Sequence, residues 1–477
     1  PGVADPRLVP LLIDALTDAS TRRRAGAALV AVGVPAVAPL VALVADETVL
    51  RAVRLTVPRL LRHVPAKETY DALRSLATVR DSHLRLRIFA ALSHLRHSLQ
   101  RKPEPLHGIQ SLIEAELLDT YSNLAGWERA RPIFATPLLE EVFQFRTERA
   151  MRRILRILEL RFDPEPLGLV REHLLEPSRR ANSIEVLDTL LDPPLRPLVM
   201  PFLDDVSVAE RIRKAGAFVP PPPEPVEFLR LHCQHPNPYV AHLALDALAK
   251  HGAPEAGQEA GPALDHPEPL VREAAIYALA AALGRAALPR LTPLLHDPDP
   301  VVAQHAAAAL ARLDDAPPPE VPMYSTIEKI LFLKSAPVFS RLSGEDLAPL
   351  ARMAEVLTFA TGERIFTEGE MGDALYVVVR GHVTILRGHT ELATLGAGEA
   401  FGEMALLDEV PRSANAVSKD EVELLRIGSE EFYEMLHEQV EIAEGVIRML
   451  THRLREADGQ IRELRRSMIA VAGLEGG

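Results

Sequence analysis

The chain has 477 residues, a formal net charge of −13 and a single cysteine, Cys233. That length exceeds one ordinary domain and suits two or three, and 47% hydrophobic with 25% charged residues is ample for packed cores in water. One cysteine excludes an intrachain disulfide and points to a reducing, cytoplasmic setting, the acidic balance argues against a general nucleic-acid binder, and the lack of any run of eighteen apolar residues argues against a membrane span.

The chain opens Pro1-Gly2-Val3, with neither Met nor a charged-then-apolar leader. That start is expected of a fragment or a processed product, and a membrane domain is one candidate for what precedes it.

Residues 1–217 read as irregular helical repeats. Aspartate- or serine-led apolar segments recur at Asp18 to Leu29, Asp46 to Val57, Asp81 to Leu92 and Ser178 to Leu190. The stretch Pro105 to Leu160 has no clear unit, and its aromatics Trp127, Phe134, Phe143 and Phe145 read as core filling. Arg146, Arg149, Arg153 and Arg156 are spaced three, four and three, which sets them on one side of a helix. They read as a solvated face partnered by Glu148 and Glu159; the alternative is a docking face for an acidic partner or anionic lipid. Arg22-Arg23-Arg24 is a second basic cluster.

A proline run at Pro220 to Pro223 marks a linker over 218–226, since such runs are extended spacers. From 227 to 313 the pattern becomes regular. Stretches from His235, His266 and Asp297 align without gaps, and Pro238, Pro269 and Pro300 lie 31 residues apart. A fixed period of this size signals a solenoid. The Pro-x-Pro pair ends one helix and opens the next, because proline is tolerated in the first turn. The following apolar-x-x-x-Ala-x-x-Ala-Leu pattern lays small residues on one face, and a second helix follows, as at Leu288 to Leu295. These units resemble HEAT repeats of the short, Ala-rich bacterial kind, which implies a scaffold for an unknown protein partner. Pro317 to Pro319 sets a second linker over 314–325.

Beyond Pro322 helical periodicity gives way to alternation with glycines. Thr361 to Gly381 reads as short strands with turns at Gly362, Gly369, Gly372 and Gly381. His382 to Leu386, Thr390 to Leu395 and Asp420 to Arg426 are further strands, and helices are expected from Ser429 onward. Between the strands stand Phe401-Gly402-Glu403-Met404-Ala405-Leu406 and Pro411-Arg412-Ser413-Ala414. A singly charged oxyanion is suited better by an arginine with forked donors than by lysine. Arg412 is that candidate. Gly402 offers a backbone N–H beside a short helix start, and Glu403 can accept a hydroxyl proton.

The spaced glycines, the Gly372-Asp373-x-x-Tyr376 step and the two segments around Glu403 and Arg412 resemble the cyclic-nucleotide-binding domains of protein kinase A regulatory subunits and the catabolite activator protein. The resemblance covers about 140 residues, 326–470. It implies a β-roll with flanking helices and a ligand site at Phe401, Gly402, Glu403, Met404, Ala405, Arg412, Ser413 and Ala414. Cyclic AMP is the expected ligand, with cyclic GMP left open because Ser413 supplies a hydroxyl where the family alternates threonine and alanine.

Ile447, Leu450, Leu454, Ala457, Ile461, Leu464 and Met468 form a heptad seam, which could pair two chains or fold back as a lid. Arg448, Thr451, His452 and Arg455 are candidate base contacts, and 471–477 is a tail. No Walker loop, His-Glu-x-x-His, Gly-x-Ser-x-Gly or Cys/His metal spacing is present, so neither an enzyme nor a metal is expected. The expectation is a multidomain chain: an all-α solenoid followed by a β-roll that senses a cyclic nucleotide, the alternative being a scaffold with a non-binding roll. This order resembles the soluble C-terminal half of bacterial proteins related to nucleotide translocases.

Overall fold

The computed structural model describes residues 5–173, 180–204, 206–315, 323–340, 342–402, 411–430, 432–433 and 451. The chain divides into two compact units, Pro1–Leu291 and Thr292–Gly477. The first is helical; the second combines helices with a β-roll.

Several helices in the first unit begin where a side chain satisfies the first orphan N–H groups. Asp18 accepts from the Ser20 N–H, Asp81 from those of His83 and Leu84, and Asn237 from that of Tyr239. Pro238 and Pro269 occupy the first position of their helices, where a missing N–H costs nothing. The turn before each cap repeats as well. The His235 Nδ1 accepts from the Asn237 N–H, and the His266 Nδ1 accepts from the Glu268 N–H, each at 3.0 Å. In the second unit the Asp297 carboxylate accepts from the Asp299 N–H at 2.9 Å. One structural bond thus recurs at each 31-residue step, although the residue that makes it changes from histidine to aspartate.

The helices Pro238–Lys250 and Pro269–Leu283 bury Ala241, Ala244 and Leu248, and Val271, Ala274, Ala275 and Ala278. Small residues also let the helix Glu255–Ala263 approach Pro269–Leu283 closely: a Cβ on Gly257 would stand 3.1 Å from that of Ala282. By composition Pro269–His296, at a mean hydropathy of 1.2, is long and apolar enough to cross a membrane. Within it, Gly284 at φ +53° ends the helix Pro269–Leu283, whose Ala-rich face packs on Pro238–Lys250.

The stretch without a clear sequence unit is dominated by the helix Leu106–Phe134. Trp127 stacks on Phe143 at 4.5 Å between centroids, and Phe143 tilts against Phe228 at 5.6 Å. A Cβ on Gly126 would lie 2.3 Å from the Phe228 ring, so glycine is the residue that admits it. Trp127, Phe134 and Phe143 fill the core as expected, whereas Phe145 is 39% exposed.

The arginine face of the helix Arg146–Leu158 overturns its solvated reading. Arg153 is only 2% exposed, and its Nε donates to Glu116 at 2.5 Å. Arg85 donates to the same carboxylate. Arg156 and Arg171 donate to Glu159 at 2.8 and 2.6 Å. Spacing correctly put these arginines on one face, but the helices Ser82–Ser98 and Leu106–Phe134 cover it and bring carboxylates to meet it.

In the second unit the helix Pro300–Leu313 starts at Asp299, which caps Val301 and Val302 and takes both 2.8 Å bonds from Arg352 of the helix Gly344–Met353. Between these lies the helix Thr326–Ser335, opened by a capping box of Ser325 and Glu328. Eight strands follow: β1 (Glu355–Phe359), β2 (Arg364–Phe366), β3 (Ala374–Arg380), β4 (Val383–Arg387), β5 (Thr390–Leu395), β6 (Ala400–Phe401), β7 (Asn415–Ser418) and β8 (Val422–Gly428). They form two antiparallel sheets, ordered β1-β8-β3-β6 and β2-β7-β4-β5. Ala374, Tyr376, Val378, Val383, Phe401, Ala416, Val422 and Leu424 make the core of the roll.

Asp81 joins two stabilising roles, since it caps the helix Ser82–Ser98 and pairs with Arg51 at 2.6 Å. Burial alone would raise its pKa, but Arg51 and the N–H donors hold it well below the ordinary value. Asp81→Ala is expected to destabilise the protein by about 3–5 kcal/mol in urea denaturation at neutral pH, mostly by stranding a buried cation. A lowered carboxyl pKa contributes stability above the ordinary value of 3.8 and loses it as pH falls below. The gap between parent and variant should therefore narrow in acid, and a gap indifferent to pH would remove charge from the explanation.

Candidate functional site

The site is built on the seam of the β-roll. Tyr376 of β3 stands opposite Phe401 of β6 in the ladder. Their rings stack at 5.3 Å, and Phe366 of β2 lies 5.9 Å from Tyr376 and 5.8 Å from Phe401. The three rings make an aromatic bed. The Arg412 guanidinium carbon lies 4.2 Å above the Phe366 ring centre and 5.7 Å from that of Tyr376.

Backbone pairing fixes where Arg412 stands. The Gly369 N–H donates to the Arg412 carbonyl at 2.8 Å, and the Arg412 N–H donates to the Glu370 carbonyl at 2.7 Å. A bridge between Met371 and Pro411 continues the pairing. The main chain of Arg412 is thus held on both sides before its side chain meets anything.

The side chain then turns inward and is 7% exposed. Its Nη2 donates to the Ala374 carbonyl at 2.8 Å and its Nη1 to the Gly402 carbonyl at 3.2 Å. A guanidinium has five N–H donors. Among the described residues the other three make no hydrogen bond, and no carboxylate is ion-paired with Arg412. Asp373 is turned away to Arg426 at 2.8 Å. Burial lowers the Arg412 pKa, opposed by Tyr376, Asp373 and Glu370, and the group keeps its charge.

Gly402 makes this approach feasible. Its φ is +78°, which favours glycine, and a Cβ there would lie 2.5 Å from the Arg412 Nη1. A buried cation on an aromatic bed, with forked donors unbonded among the described residues, is suited to a single oxyanion such as a phosphodiester. Among the described residues no group of three His, Cys, Asp or Glu converges in a way that could hold a metal.

Of the residues expected from sequence, Phe401, Gly402 and Arg412 come together as described. Ala414 is buried at the entry to β7, while Ser413 is exposed and its carbonyl accepts from the Arg387 Nε at 3.4 Å. Glu403, Met404 and Ala405 lie outside the described residues, as do Arg448, His452 and Arg455 and most of the heptad seam. Thr451 is an exposed helical residue. Sequence reasoning missed the Phe366 ring and the Ala374 carbonyl. No strand pairing was read from the sequence, so nothing there set Phe366 or Ala374 beside Arg412.

Comparison with known proteins places two modules in the chain. Residues 356–439 match the cyclic nucleotide-binding domain, and residues 226–311 match HEAT repeats. The cyclic AMP receptor protein of Thermus thermophilus is 37% identical over 131 residues, which cover 26% of this chain and 61% of that protein. The cAMP-dependent protein kinase regulatory subunit of Emericella nidulans is 35% identical over 107 residues, 22% of this chain and 26% of that one. The crystal structure of the Thermus thermophilus catabolite activator protein aligns at 36% identity over 27% of this chain and 63% of its own, with a TM-score of 0.24. The chain thus spans about three fifths of the length of its bacterial relatives.

Arg412→Ala should weaken cyclic-nucleotide binding by about 2–5 kcal/mol, some thirty- to several-thousandfold, while the roll still folds. Gly402→Ala should weaken it too, because the new methyl displaces the guanidinium from the Gly402 and Ala374 carbonyls. Calorimetry on both variants is the check, and parental affinity in Arg412→Ala would show that the phosphate sits elsewhere.

Proposed function

We propose that this chain, whose C-terminal region carries a cyclic nucleotide-binding domain, is a regulatory sensor that binds a cyclic ribonucleotide and passes the signal to a HEAT-repeat scaffold. The observation that carries the reading is the buried Arg412, held over Phe366, with three of its five N–H donors unbonded among the described residues and with Gly402 leaving it room. The phosphodiester is taken by that guanidinium, and burial away from water strengthens the contact. The ligand proposed is cyclic AMP, supported by relatives named as cyclic AMP receptors and cAMP-dependent kinase subunits. The role proposed for these groups is to hold a bound cyclic phosphodiester, not to transform it.

The HEAT repeats are proposed to hold a protein partner, since stacked helix pairs present extended surfaces. A cytoplasmic setting is proposed from the lone Cys233, which is buried and whose thiol is pushed well above its ordinary pKa, so it stays an inert small hydrophobe.

Calorimetry with cyclic AMP and cyclic GMP tests the reading. Cyclic AMP should bind at least as tightly as cyclic GMP, and Ser413→Ala should leave its affinity within about threefold, as an exposed hydroxyl contributes little. Absence of binding by either nucleotide would leave the roll a non-binding interaction module. A strong preference for cyclic GMP that Ser413→Ala removes would reverse the choice of base.

A further inference from the structure

A second cleft lies wholly within the helical unit, with a volume of about 460 Å³. That is within the ordinary range for small-molecule sites. Its lining carries both charged and apolar groups. Arg85, Arg146, Glu116 and Asp119 face it, together with His232 and His235. Phe228, Leu231 and Leu112 supply apolar wall.

The charges do not balance. Glu116 is shared by Arg85 and Arg153, so one carboxylate answers two guanidinium groups. Asp119 is drawn to Arg85 at 3.1 Å and stands 3.7 Å from Arg146. Three cations therefore meet two anions, and exposed Arg80 adds another positive charge at the rim. Arg146 is the least satisfied of the three: its side chain is 12% exposed, its one ion-pair partner is the distant Asp119, and no hydrogen bond reaches it among the described residues. A surplus charge this deeply set is costly until an opposite charge joins it.

A neutral donor points the same way. The His235 Nδ1 accepts from the Asn237 N–H at 3.0 Å, which puts the ring proton on Nε2. Among the described residues that N–H has no acceptor. Its ring stacks parallel to His232 at 5.7 Å and borders the cleft beside Arg146.

We propose that this cleft binds a small molecule with one oxyanion, a carboxylate or a phosphate monoester, seated between the Arg146 guanidinium and the His235 Nε2–H. The apolar part of the ligand lies against Phe228 and Leu231. The site is distinct from Arg412 in chemistry, because it takes a compact oxyanion with an apolar body.

Calorimetry and thermal melting of the full chain with phenyl phosphate, benzoate and inorganic phosphate test the proposal. Phenyl phosphate and benzoate should bind, both more tightly than inorganic phosphate, which has no ring to place on Phe228. Arg146→Gln should weaken both by about ten- to a hundredfold, the loss of a charge-assisted bond. Leu231 is 56% exposed, so Leu231→Glu should keep the fold and still repel the anion at the cleft wall. That variant carries the test alone if Arg146→Gln does not fold. Cyclic-nucleotide affinity should be unchanged in both. The proposal is overturned if neither aromatic anion binds at millimolar concentration, if parent and variants bind alike, or if Arg412→Ala abolishes the binding.

Discussion

A guanidinium keeps its proton at any pH a protein experiences, so every arginine this chain buries must find oxygen atoms or an anion. That constraint shapes both units. In the helical unit it draws Glu116 between Arg85 and Arg153, and Glu159 between Arg156 and Arg171. In the β-roll it is met by carbonyls instead, those of Ala374 and Gly402 around Arg412. A carbonyl satisfies a donor without cancelling the charge. Carboxylate pairs make rigid structure, and a carbonyl-lined arginine remains able to attract a phosphodiester.

The roll achieves this through backbone rather than side-chain packing. Arg412 is clamped by two main-chain bonds to the segment at Gly369 and Glu370, so its position follows from the ladder. Antiparallel strands leave little freedom of register once one face is buried, and Tyr376 opposite Phe401 sets that face. Glycine at 402 completes the arrangement, since any Cβ would occupy the space of the guanidinium. At the far turn, Gly381 answers the same kind of demand, with the Glu421 carbonyl 2.2 Å from where a Cβ would stand.

The repeats show the complementary case, in which one geometric need is met by different chemistry. His235, His266 and Asp297 each accept the N–H two residues on and so turn the chain into the next helix. An imidazole nitrogen and a carboxylate oxygen are equivalent in that role. They are not equivalent toward a neighbour, because the neutral imidazole carries an N–H on its other nitrogen and the carboxylate carries none. A structural turn can therefore carry a binding donor at one repeat and none at another.

Much of this was legible in the sequence, because it is local or periodic. The 31-residue step, the Pro-led helices and the glycine-punctuated strands each depend on residues within a few positions of one another. Gly402 and Arg412 were readable as two short segments whose pattern resembles a known family. What tertiary structure decided is what covers each face. Spacing placed Arg146, Arg149, Arg153 and Arg156 together, but solvent or core was settled by Glu116, 37 residues before Arg153. The Phe366 ring beneath Arg412 and the Ala374 carbonyl beside it come from strands dozens of residues away. Periodicity tells which side chains share a surface; only the packing of distant segments tells whether that surface meets water, a counter-charge or a ligand, since the cost of burying a charge is set by whatever the fold brings next to it.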